Sequence, residues 1–178
     1  MNVGVLALQG GFELHQQALA ASGFSTVLIR KPDQLNGVDA LVIPGGESSA
    51  LLKLMAPWDF LSAIQAFAEK QKVVGTCAGA ILMAKEVLPA QSSLSLIEVS
   101  VRRNAYGRQI ESFIGAADEN KAKLVFIRAP EITSAGSAVQ VKLHCDGKPV
   151  CVQQGNAMAM TFHPEMADYQ DVVDFLNS

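Results

Sequence analysis

The sequence predicts an α/β protein of three layers, in which an open and mostly parallel sheet carries helices on both faces. Three observations support this α/β/α fold class. Short apolar runs at residues 3–8, 40–43 and 73–74 have the continuous hydrophobicity of strands buried on both faces. Segments with helical periodicity alternate with these runs, as in parallel sheets. A late pair of alternating strands, joined by Asp146-Gly147, predicts an antiparallel hairpin at the edge of the sheet.

Length and composition narrow the class of protein. With 178 residues, the chain is expected to form a single domain, residues 1–178, that is long enough to bury a substantial core. Apolar residues make up 49% and charged residues 17%, which excludes an intrinsically disordered chain. The net charge of −3 gives no electrostatic reason to expect nucleic acid or an anionic membrane as a partner.

The N-terminus and the cysteines indicate a cytoplasmic protein. Residues 1–8 are apolar but lack the basic region of a signal peptide, so they predict a first strand instead. No apolar run approaches the length that crosses a membrane. The three cysteines, Cys77, Cys145 and Cys151, do not suggest a disulfide framework, and the last two flank a turn where we expect packed free thiols. A reducing compartment suits this composition.

The first third of the chain predicts a β-α-β-β arrangement. Apolar residues at helical spacing predict a helix over residues 12–22, and Gly23 is a typical C-terminal stop. Further strands are expected over residues 26–29 and 40–43, with the polar and turn-rich residues 30–38 between them. Short connections of this kind favour an open sheet covered by helices.

A glycine pair, Gly45-Gly46, follows the third strand and precedes Glu47 and Ser48. Glycines at the carboxyl end of a strand let the backbone approach a ligand and direct its N–H groups at that ligand. The P-loop pattern is absent. The alternative is an ordinary turn in which Ser48 or Ser49 caps the next helix. The helices expected after this turn cover residues 50–55 and 58–70.

The stretch Gly75-Thr76-Cys77-Ala78-Gly79 predicts the sharp strand-to-helix turn called a nucleophile elbow, with cysteine in place of serine. A helix is expected over residues 78–84, and its pattern decays only beyond Leu88. Such a turn exposes the sulfur at the carboxyl end of the sheet, where the first amides and the dipole of the helix favour a thiolate. The alternative is a core cysteine in a tight turn, which the motif alone does not exclude.

The second half of the chain supplies shorter strands and a cluster of arginines. Arg102, Arg103 and Arg108 form either a solvated basic loop or a fork of guanidinium donors for a carboxylate. Arg128 follows a later predicted strand. The elements expected in this half are strands over residues 97–101, 111–114, 124–127, 139–143, 150–152 and 157–162, a loop over 89–93 and a last helix over 168–176.

His163 and Glu165 lie two residues apart, just beyond the last strand. Residues at this spacing point the same way in an extended chain, and the proline between them stiffens the backbone. A carboxylate beside an imidazole fixes its tautomer and stabilises its protonated form, so Cys77, His163 and Glu165 are a candidate catalytic triad of nucleophile, base and orienting acid. We expect the other two histidines at a surface position of the first helix (His15) and on the hairpin (His144).

The order of these parts separates related folds. An α/β-hydrolase places its acid between nucleophile and histidine, whereas here the order is Cys77, His163, Glu165. A glycine-rich strand end, a G-x-C-x-G elbow and a late H-P-E resemble the class I (triad) glutamine amidotransferases, which have a flavodoxin-like fold. Within that class the sequence resembles the glutaminase subunits of pyridoxal 5′-phosphate synthase. The blocks that carry the resemblance are VLALQG at 5–10, PGGES at 44–48, GTCAG at 75–79, RNAYGRQ at 103–109, FIRAP at 126–130 and FHPE at 162–165.

Two departures from that family concern loops. Ser49-Ala50 stands where a pair of threonines is usual, and the segments at 91–96 and 116–123 are short. Both lie away from the triad residues, so we expect altered loop shape and unaltered chemistry.

The resemblance implies an enzyme that hydrolyses glutamine through a cysteinyl thioester. It implies backbone N–H groups of Gly46 and Ala78 as the oxyanion hole, and no metal or cofactor. The implied partner is the (β/α)₈-barrel synthase subunit, which receives the ammonia within a large hetero-oligomer, and residues 9–12 are the implied docking element. The residues that the resemblance assigns to glutamine binding are Gly46, Glu47, Ser48, Arg103, Ile127 and Arg128.

Other functions stay open at this point. The first is a glutaminase of another synthase, such as that of histidine biosynthesis, but the blocks at 103–109 and 126–130 argue against it. The second is a non-catalytic chaperone, sensor or scaffold, which would need no carboxylate to orient a histidine. The third is a cysteine hydrolase of a small amide or ester. It is distinguished by whether Arg103 and Arg128 converge near Cys77, because an amino-acid substrate needs charged partners.

Overall fold

A computed structural model describes residues 1–104 and 112–178. Within these ranges, none of the helices is both long and apolar enough to cross a membrane. The strands are β1 (Asn2–Leu6), β2 (Ser25–Ile29), β3 (Ala40–Ile43), β4 (Lys72–Thr76), β5 (Ala84–Leu88), β6 (Ile97–Arg102), β7 (Ser112–Ala116), β8 (Lys123–Ile127), β9 (Glu131–Ala135), β10 (Gln140–Cys145), β11 (Lys148–Gln154) and β12 (Ala157–Met160). The helices are α1 (Phe12–Ala21), α2 (Ser48–Met55), α3 (Phe60–Ala68), α4 (Ala78–Met83) and α5 (Gln170–Asn177).

The main sheet has the predicted, mostly parallel arrangement. In the described part of the chain, seven strands follow the order β10-β11-β12-β4-β3-β1-β2. Neighbouring strands from β12 to β2 are all parallel. β10 and β11 form an antiparallel hairpin at one edge, and β11 is also antiparallel to β12. The predicted open sheet with an antiparallel edge hairpin is therefore confirmed.

Two hydrophobic layers enclose the central strands. Val42 of β3 packs in one layer, while its neighbours Leu41 and Ile43 pack in the other, and all three are fully buried. The layer around Val42 contains residues of α1, α5 and β8. The opposite layer contains residues of α2, α3 and α4 and of a small sheet in the order β5-β6-β9. Burial on both faces explains the unbroken apolar runs of β1, β3 and β4.

The segment Ala84–Leu88 differs most from the sequence prediction. The apolar pattern predicts helix up to Leu88, but α4 ends at Met83 and the next five residues form β5, which pairs with β6. The last carbonyls of α4 accept hydrogen bonds from loop amides: Leu94 N to Leu82 O at 2.6 Å and Leu96 N to Met83 O at 2.9 Å. Tertiary pairing thus overrides the local helical preference.

Other differences are smaller. The strand β9 has no counterpart in the sequence prediction and owes its conformation to antiparallel pairing with β6. A 3₁₀ turn over Pro32–Gly37 occupies the segment predicted as polar and turn-rich. Helix α3 begins only at Phe60, after a 3₁₀ turn over Ala56–Trp58. The strand predicted over residues 111–114 corresponds to β7, and Glu111 itself lies outside the described residues.

Helix α2 begins two residues earlier than predicted and has an unexpected cap. The Glu47 carboxylate accepts hydrogen bonds from the backbone N–H groups of Ser49 (3.2 Å) and Ala50 (2.8 Å). Glu47 is therefore the N-cap, and the alternative in which Ser48 or Ser49 caps the helix is wrong. A carboxylate at this position also complements the positive end of the helix dipole.

Two glycines allow α4 to pack closely against the sheet. A Cβ atom at Gly79 would lie 2.1 Å from the carbonyl oxygen of Ile43, and one at Gly75 would lie 2.5 Å from Met83 Sδ. Neither distance is compatible with van der Waals radii. The absence of side chains at these positions therefore sets how closely α4 approaches β3. Because Cys77 is the N-cap of α4, this distance also fixes the position of Cys77 relative to the sheet.

We expect Gly79→Ala to destabilise the protein, although alanine replaces glycine within a helix. The usual gain in helix propensity is up to about 1 kcal/mol. The clash with the rigid backbone of β3 is expected to reverse that sign and cost about 1–3 kcal/mol, as in other overpacked cores. The measurement is the free energy of unfolding in urea.

Gly37→Ala is the matched control, because a Cβ there meets nothing within 4 Å and Gly37 has no positive φ. It is expected to change the stability by less than about 1 kcal/mol. Equal stabilities for the two variants would show that α4 moves freely relative to β3.

Candidate active site

Cys77 stands in a strained turn between β4 and α4. Its φ of 48° and ψ of −102° lie in a region that non-glycine residues rarely adopt, at a cost of about 1–3 kcal/mol. Both of its backbone groups are held, since its N–H donates to Met160 O at 2.8 Å and its carbonyl accepts from Ile81 N at 3.2 Å. The predicted elbow geometry is therefore present, with the side chain at the carboxyl end of the sheet.

His163 and Glu165 follow β12 and lie beside this turn. The backbone N–H of His163 donates to Val125 O at 2.8 Å, which fixes the residue against β8. Its ring atom Nδ1 lies 2.7 Å from Glu165 Oε1, and the Glu165 side chain is only 1% exposed. The predicted offset of two residues brings the carboxylate to the imidazole. The expectation of an extended chain is wrong, however, because Pro164–Met166 form a 3₁₀ turn that bends Glu165 back towards the ring.

The His163 ring lies beside the Cys77 side chain, and Gly45 contacts both. A Cβ atom at Gly45 would come within 2.5 Å of His163 Cε1 and 3.2 Å of Cys77 Cβ. The Cys77 thiol donates to Ile127 O at 3.7 Å. His163 Nε2 is buried and has no hydrogen-bond partner among the described residues. The hydrogen-bonding capacity of this nitrogen is thus unused within the described part of the chain.

Two opposing influences set the pKa of His163. Burial is the largest single influence and lowers the pKa, but the side chains of Cys77 and Glu165 together outweigh it and raise the pKa from 6.5 to about 10. For Glu165, burial would raise the pKa, whereas the hydrogen bond from His163 brings it below its usual value. The arrangement therefore favours an imidazolium held between two acidic groups.

One cavity brings most of the predicted site residues together. Arg103 and Arg128 both line it, and Arg103 Nη2 lies 3.2 Å from Glu47 Oε1. The hydrogen bond from the Ser49 hydroxyl contributes most to lowering the pKa of Glu47. The lining residues are Gly46, Glu47, Ser48, Cys77, Ile81, Arg103, Asn104, Ile127, Arg128 and His163.

The predicted arginine fork forms only in part. Arg102 does not line the cavity and instead pairs with Glu131 at 3.6 Å, with its side chain 57% exposed. Arg108, with the rest of the block after Asn104 up to Gln109, lies outside the described residues. Among the described residues, the guanidinium groups that line the cavity with Cys77 come from Arg103, just after β6, and Arg128, just after β8.

The first loop holds the glycine pair in place. The N–H of Gly11 donates to Gly45 O at 3.0 Å, and the side chain of Gln9 accepts from Glu47 N at 2.9 Å. A Cβ atom at Gly10 would lie 1.9 Å from Gly45 O. Because the two ends of a trans peptide point in opposite directions, the N–H of Gly46 points away from the first loop.

The remaining predicted residues lie at the ends of elements that surround Cys77. Ala78 is the first residue of α4, where N–H groups have no partner within the helix. Ile127 is the last residue of β8. Ser48 is buried, and its hydroxyl donates to Gln91 Oε1 at 3.2 Å. The short segment at 91–96 thus touches the site through Gln91.

Sequence reasoning missed His15. The prediction of a surface position is wrong, because His15 is fully buried and its Nε2 lies 3.2 Å from Glu165 Oε2. The only signal in the sequence is the spacing of four between His15 and Leu19, the two buried residues of α1. Gln9, Ile81 and Asn104 were not assigned to the site either.

The other cysteines lie in the core. Cys145 and Cys151 are free and buried, and burial raises the pKa of both thiols, most strongly that of Cys151. This agrees with the prediction of packed thiols. His144 lies on the hairpin as predicted, where it pairs with Glu119. The described residues contain no group of three His, Cys, Asp or Glu side chains placed to hold a metal ion.

Comparison with known proteins gives matches over almost the whole chain. Residues 5–176 match the family model described as the SNO glutamine amidotransferase family. The pyridoxal 5′-phosphate synthase subunit PdxT of Koribacter versatilis (strain Ellin345) is 47% identical over 171 residues, which cover 93% of this chain and 88% of the relative. The subunit of the same name from Thermotoga maritima is 39% identical over 175 residues, covering 94% and 93%.

Solved structures match over a similar length. A crystal structure of a glutamine amidotransferase has a TM-score of 0.92 and 40% identity, and covers 98% of this chain and 97% of that chain. The structure of PurLQS from Thermotoga maritima has a TM-score of 0.75 at 15% identity, with coverage of 99% and 96%. At such low identity the second likeness concerns the fold alone. The predicted fold class is confirmed.

Replacing Glu165 by Gln is expected to lower the pKa of His163, because a neutral amide attracts the imidazolium less strongly. The folded pKa of about 10 exceeds the ordinary 6.5. The protonated ring therefore stabilises the fold fully below pH 6.5, and this contribution is lost as the pH rises through about 10. In Glu165→Gln this contribution should be smaller, and its loss should be complete at a lower pH. NMR titration of the ring gives the midpoint.

Glu119→Gln is the matched control, because Glu119 holds the exposed His144 at the same distance of 2.7 Å and does not line the cavity. It is expected to leave the His163 midpoint in place. A midpoint that is also unchanged in Glu165→Gln would contradict the role given to this carboxylate.

Proposed function

The chain belongs to the SNO glutamine amidotransferase family, and from this membership we infer that it is the glutaminase subunit of a pyridoxal 5′-phosphate synthase. It hydrolyses L-glutamine to L-glutamate and ammonia, and it works with a synthase partner in the biosynthesis of pyridoxal 5′-phosphate, a form of vitamin B6. The resemblance seen in the sequence blocks is confirmed by relatives 39–47% identical over most of the chain. The site residues named below are part of the proposal.

The observation that carries the proposal is the set of charges around Cys77. Arg103 and Glu47 line the same cavity as the cysteine and lie 3.2 Å from each other. A free amino acid has one carboxylate and one ammonium group, so an adjacent guanidinium and carboxylate suit its two charges. A neutral ester or amide would gain nothing from them, which argues against a general cysteine hydrolase.

We assign glutamine binding to groups at three strand ends, those of β3, β6 and β8. Arg103 holds the α-carboxylate and Glu47 the α-amine. The residues that complete this part of the site are Gly46, Ser48, Ile127 and Arg128, all of which line the cavity. The side-chain amide of glutamine then reaches Cys77 at the base of the site. Placing the reacting atoms in this way lowers the entropic cost of the attack.

The first half of the reaction forms a thioester. His163 Nε2, which has no partner in the described residues, takes the proton of the Cys77 thiol. The thiolate attacks the amide carbon of glutamine, and the carbonyl oxygen becomes an oxyanion near the N–H groups of Gly46 and Ala78. His163 then gives its proton to the nitrogen, the C–N bond breaks, and ammonia leaves.

The second half restores the enzyme. His163 removes a proton from water, and the resulting hydroxide attacks the thioester carbon. The C–S bond breaks, glutamate leaves, and the Cys77 thiolate recovers its proton from His163. Glu165 supports both halves, because its hydrogen bond to Nδ1 stabilises the imidazolium each time the ring carries the extra proton. No step uses a metal or a cofactor.

Release of ammonia explains the need for a partner. Ammonia released into water at neutral pH becomes ammonium and loses its nucleophilicity, so a synthase must receive it directly. We propose that the partner is a (β/α)₈-barrel subunit within a large hetero-oligomer and that residues 9–12 contact it. This loop already supports Gly45 through Gly11. We further propose a single glutaminase domain and a cytoplasmic location, where the free thiols would remain reduced.

Glutamate release tests the function directly. We expect the protein to release glutamate from glutamine when mixed with a purified synthase subunit, and Cys77→Ala to lose at least about 10³-fold in kcat, as removal of a nucleophile does elsewhere. Cys151→Ala is the matched control, since that thiol is buried outside the cavity, and its activity should be kept. If the protein releases no glutamate with or without the partner, while Cys77 still reacts with iodoacetamide, the result would favour the alternative of a non-catalytic sensor or scaffold.

Gly10→Ala tests the support of the glycine pair. The added Cβ would lie 1.9 Å from Gly45 O, so we expect Gly45 and Gly46 to move and kcat for glutamate release to fall at least about tenfold through loss of the oxyanion hole.

Gly23→Ala provides the control for backbone strain. Gly23 has φ +86°, close to the +94° of Gly10, but nothing lies within 4 Å of its added Cβ. Both variants should lose about 1 kcal/mol of stability from the positive φ, whereas only Gly10→Ala should lose activity. Equal activities would rule out this loop as a support of the oxyanion hole.

A further inference from the structure

His15 lies behind the triad and contacts three other elements. Its ring is fully buried on α1. Nδ1 lies 2.8 Å from the Tyr169 hydroxyl, and Nε2 lies 3.0 Å from Thr76 Oγ1 and 3.2 Å from Glu165 Oε2. Thr76 is the residue before the nucleophile, and Tyr169 immediately precedes α5. The ring therefore links Glu165 and the residue before Cys77 to helix α1 and to the segment before α5.

The second oxygen of Glu165 has an unusual environment. Oε1 accepts from His163, but Oε2 is buried and has no hydrogen-bond partner within the described residues. Its polar neighbour is His15 Nε2, whose hydrogen-bond geometry favours Thr76 Oγ1. A buried carboxylate oxygen without any positive neighbour is strongly disfavoured. The protonation state of His15 therefore decides whether this arrangement is stable.

Contacts within the site determine that state. Burial lowers the pKa of His15 to about 4, against the smaller opposing effect of Glu165, so the ring is neutral at neutral pH. A neutral imidazole has one N–H and one lone pair. A proton on Nδ1 would leave the Nε2 lone pair facing Oε2 at 3.2 Å. A proton on Nε2 turns its positive end to both Oε2 and Thr76, and Nδ1 accepts from Tyr169.

Tyr169 can maintain this tautomer. Burial raises the pKa of its phenol, so the hydroxyl keeps its proton and can donate to Nδ1. The titratable side chains that face the His15 ring are thus Tyr169 on one side and Glu165, with His163 beyond it, on the other. None of them gives a reason for the proton to move to Nδ1.

We propose that neutral His15, with its proton on Nε2, is a positioning residue that holds Glu165 Oε2 and so keeps Oε1 on His163 Nδ1. A carboxylate that is fixed at one oxygen cannot rotate at the other. His163 then keeps its Nε2 edge at Cys77 throughout the reaction. The catalytic consequence rests on the proposed glutaminase function, but the effect on the reactivity of Cys77 does not.

The test compares His15→Leu, which removes the donor, with His15→Gln, whose side-chain NH₂ can reach the place of Nε2–H. The first measurement is the rate of alkylation of Cys77 by iodoacetamide at pH 7.5, which needs neither glutamine nor a partner. We expect a fall of at least about tenfold in His15→Leu, since leaving a buried charged oxygen without its polar neighbour has that cost, and recovery of most of the rate in His15→Gln.

NMR separates positioning from mere stability. The proton between His163 Nδ1 and Glu165 Oε1 should give a downfield signal that is lost in His15→Leu and kept in His15→Gln. With the synthase partner, kcat for glutamate release should fall as the alkylation rate does, at unchanged KM. Gln16→Ala, which removes one hydrogen bond to Thr26 from the same helix, should change none of these readouts.

Three outcomes would decide against the proposal. Normal alkylation and an intact signal in folded His15→Leu would make His15 a structural residue only. A Gln variant no better than the Leu variant would exclude the donor role. Should His15→Leu fail to fold, Tyr169→Phe replaces it, since that change removes only the hydroxyl that fixes the tautomer. Unchanged alkylation and an unshifted signal in Tyr169→Phe would overturn the proposal. If His15→Leu slows the alkylation of Cys77 but the native protein releases no glutamate from glutamine with its partner, the result would count against the proposed function alone.

Discussion

The buried carboxylate of Glu165 is the constraint on which the site depends. Its side chain is 1% exposed, and an isolated ionised carboxylate in such a place would be neutralised instead of charged. It stays ionised because the two histidines each face one of its oxygens, at 2.7 Å and 3.2 Å. Helix α1, the end of β4 and the turn after β12 must therefore meet at one point. The need to stabilise a buried negative charge therefore accounts for the position of His163 beside Glu165.

The same end of the sheet shows why glycine recurs at strand ends. A Cβ atom at Gly10 would lie 1.9 Å from the carbonyl oxygen of Gly45, just after β3, and one at Gly79 would lie 2.1 Å from that of Ile43, the last residue of β3. Three loops, after β1, β3 and β4, can therefore pack backbone against backbone. Larger residues would separate them by more than an ångström, which exceeds the tolerance of an oxyanion hole.

Much of the fold and site follows from local sequence signals. Unbroken apolar runs gave β1, β3 and β4, and residue types at fixed offsets placed Cys77 and His163. The conformation of Ala84–Leu88 could not be foreseen, because it depends on pairing with β6 and not on the residues of the segment itself. Neither could the burial of His15, which depends on contacts with distant segments at Thr76 and Glu165. A single sequence has no periodic signal for such contacts. The cap role of Glu47 is local, to the N–H groups of Ser49 and Ala50, and it was missed because serine is the commoner cap.

The two histidines around Glu165 show how position separates groups of the same chemistry. His163 lies beside Cys77, and its pKa is raised to about 10; His15 lies deeper, and burial lowers its pKa to about 4. The stabilising charge of His163 is lost as the pH rises through about 10. The cost of charging His15 appears as the pH falls from 6.5 towards 4. In the proposed mechanism, His163 carries the proton that moves between these limits, whereas His15 keeps its own. A carboxylate can orient a base through a reaction only while its other neighbour keeps its protonation state fixed.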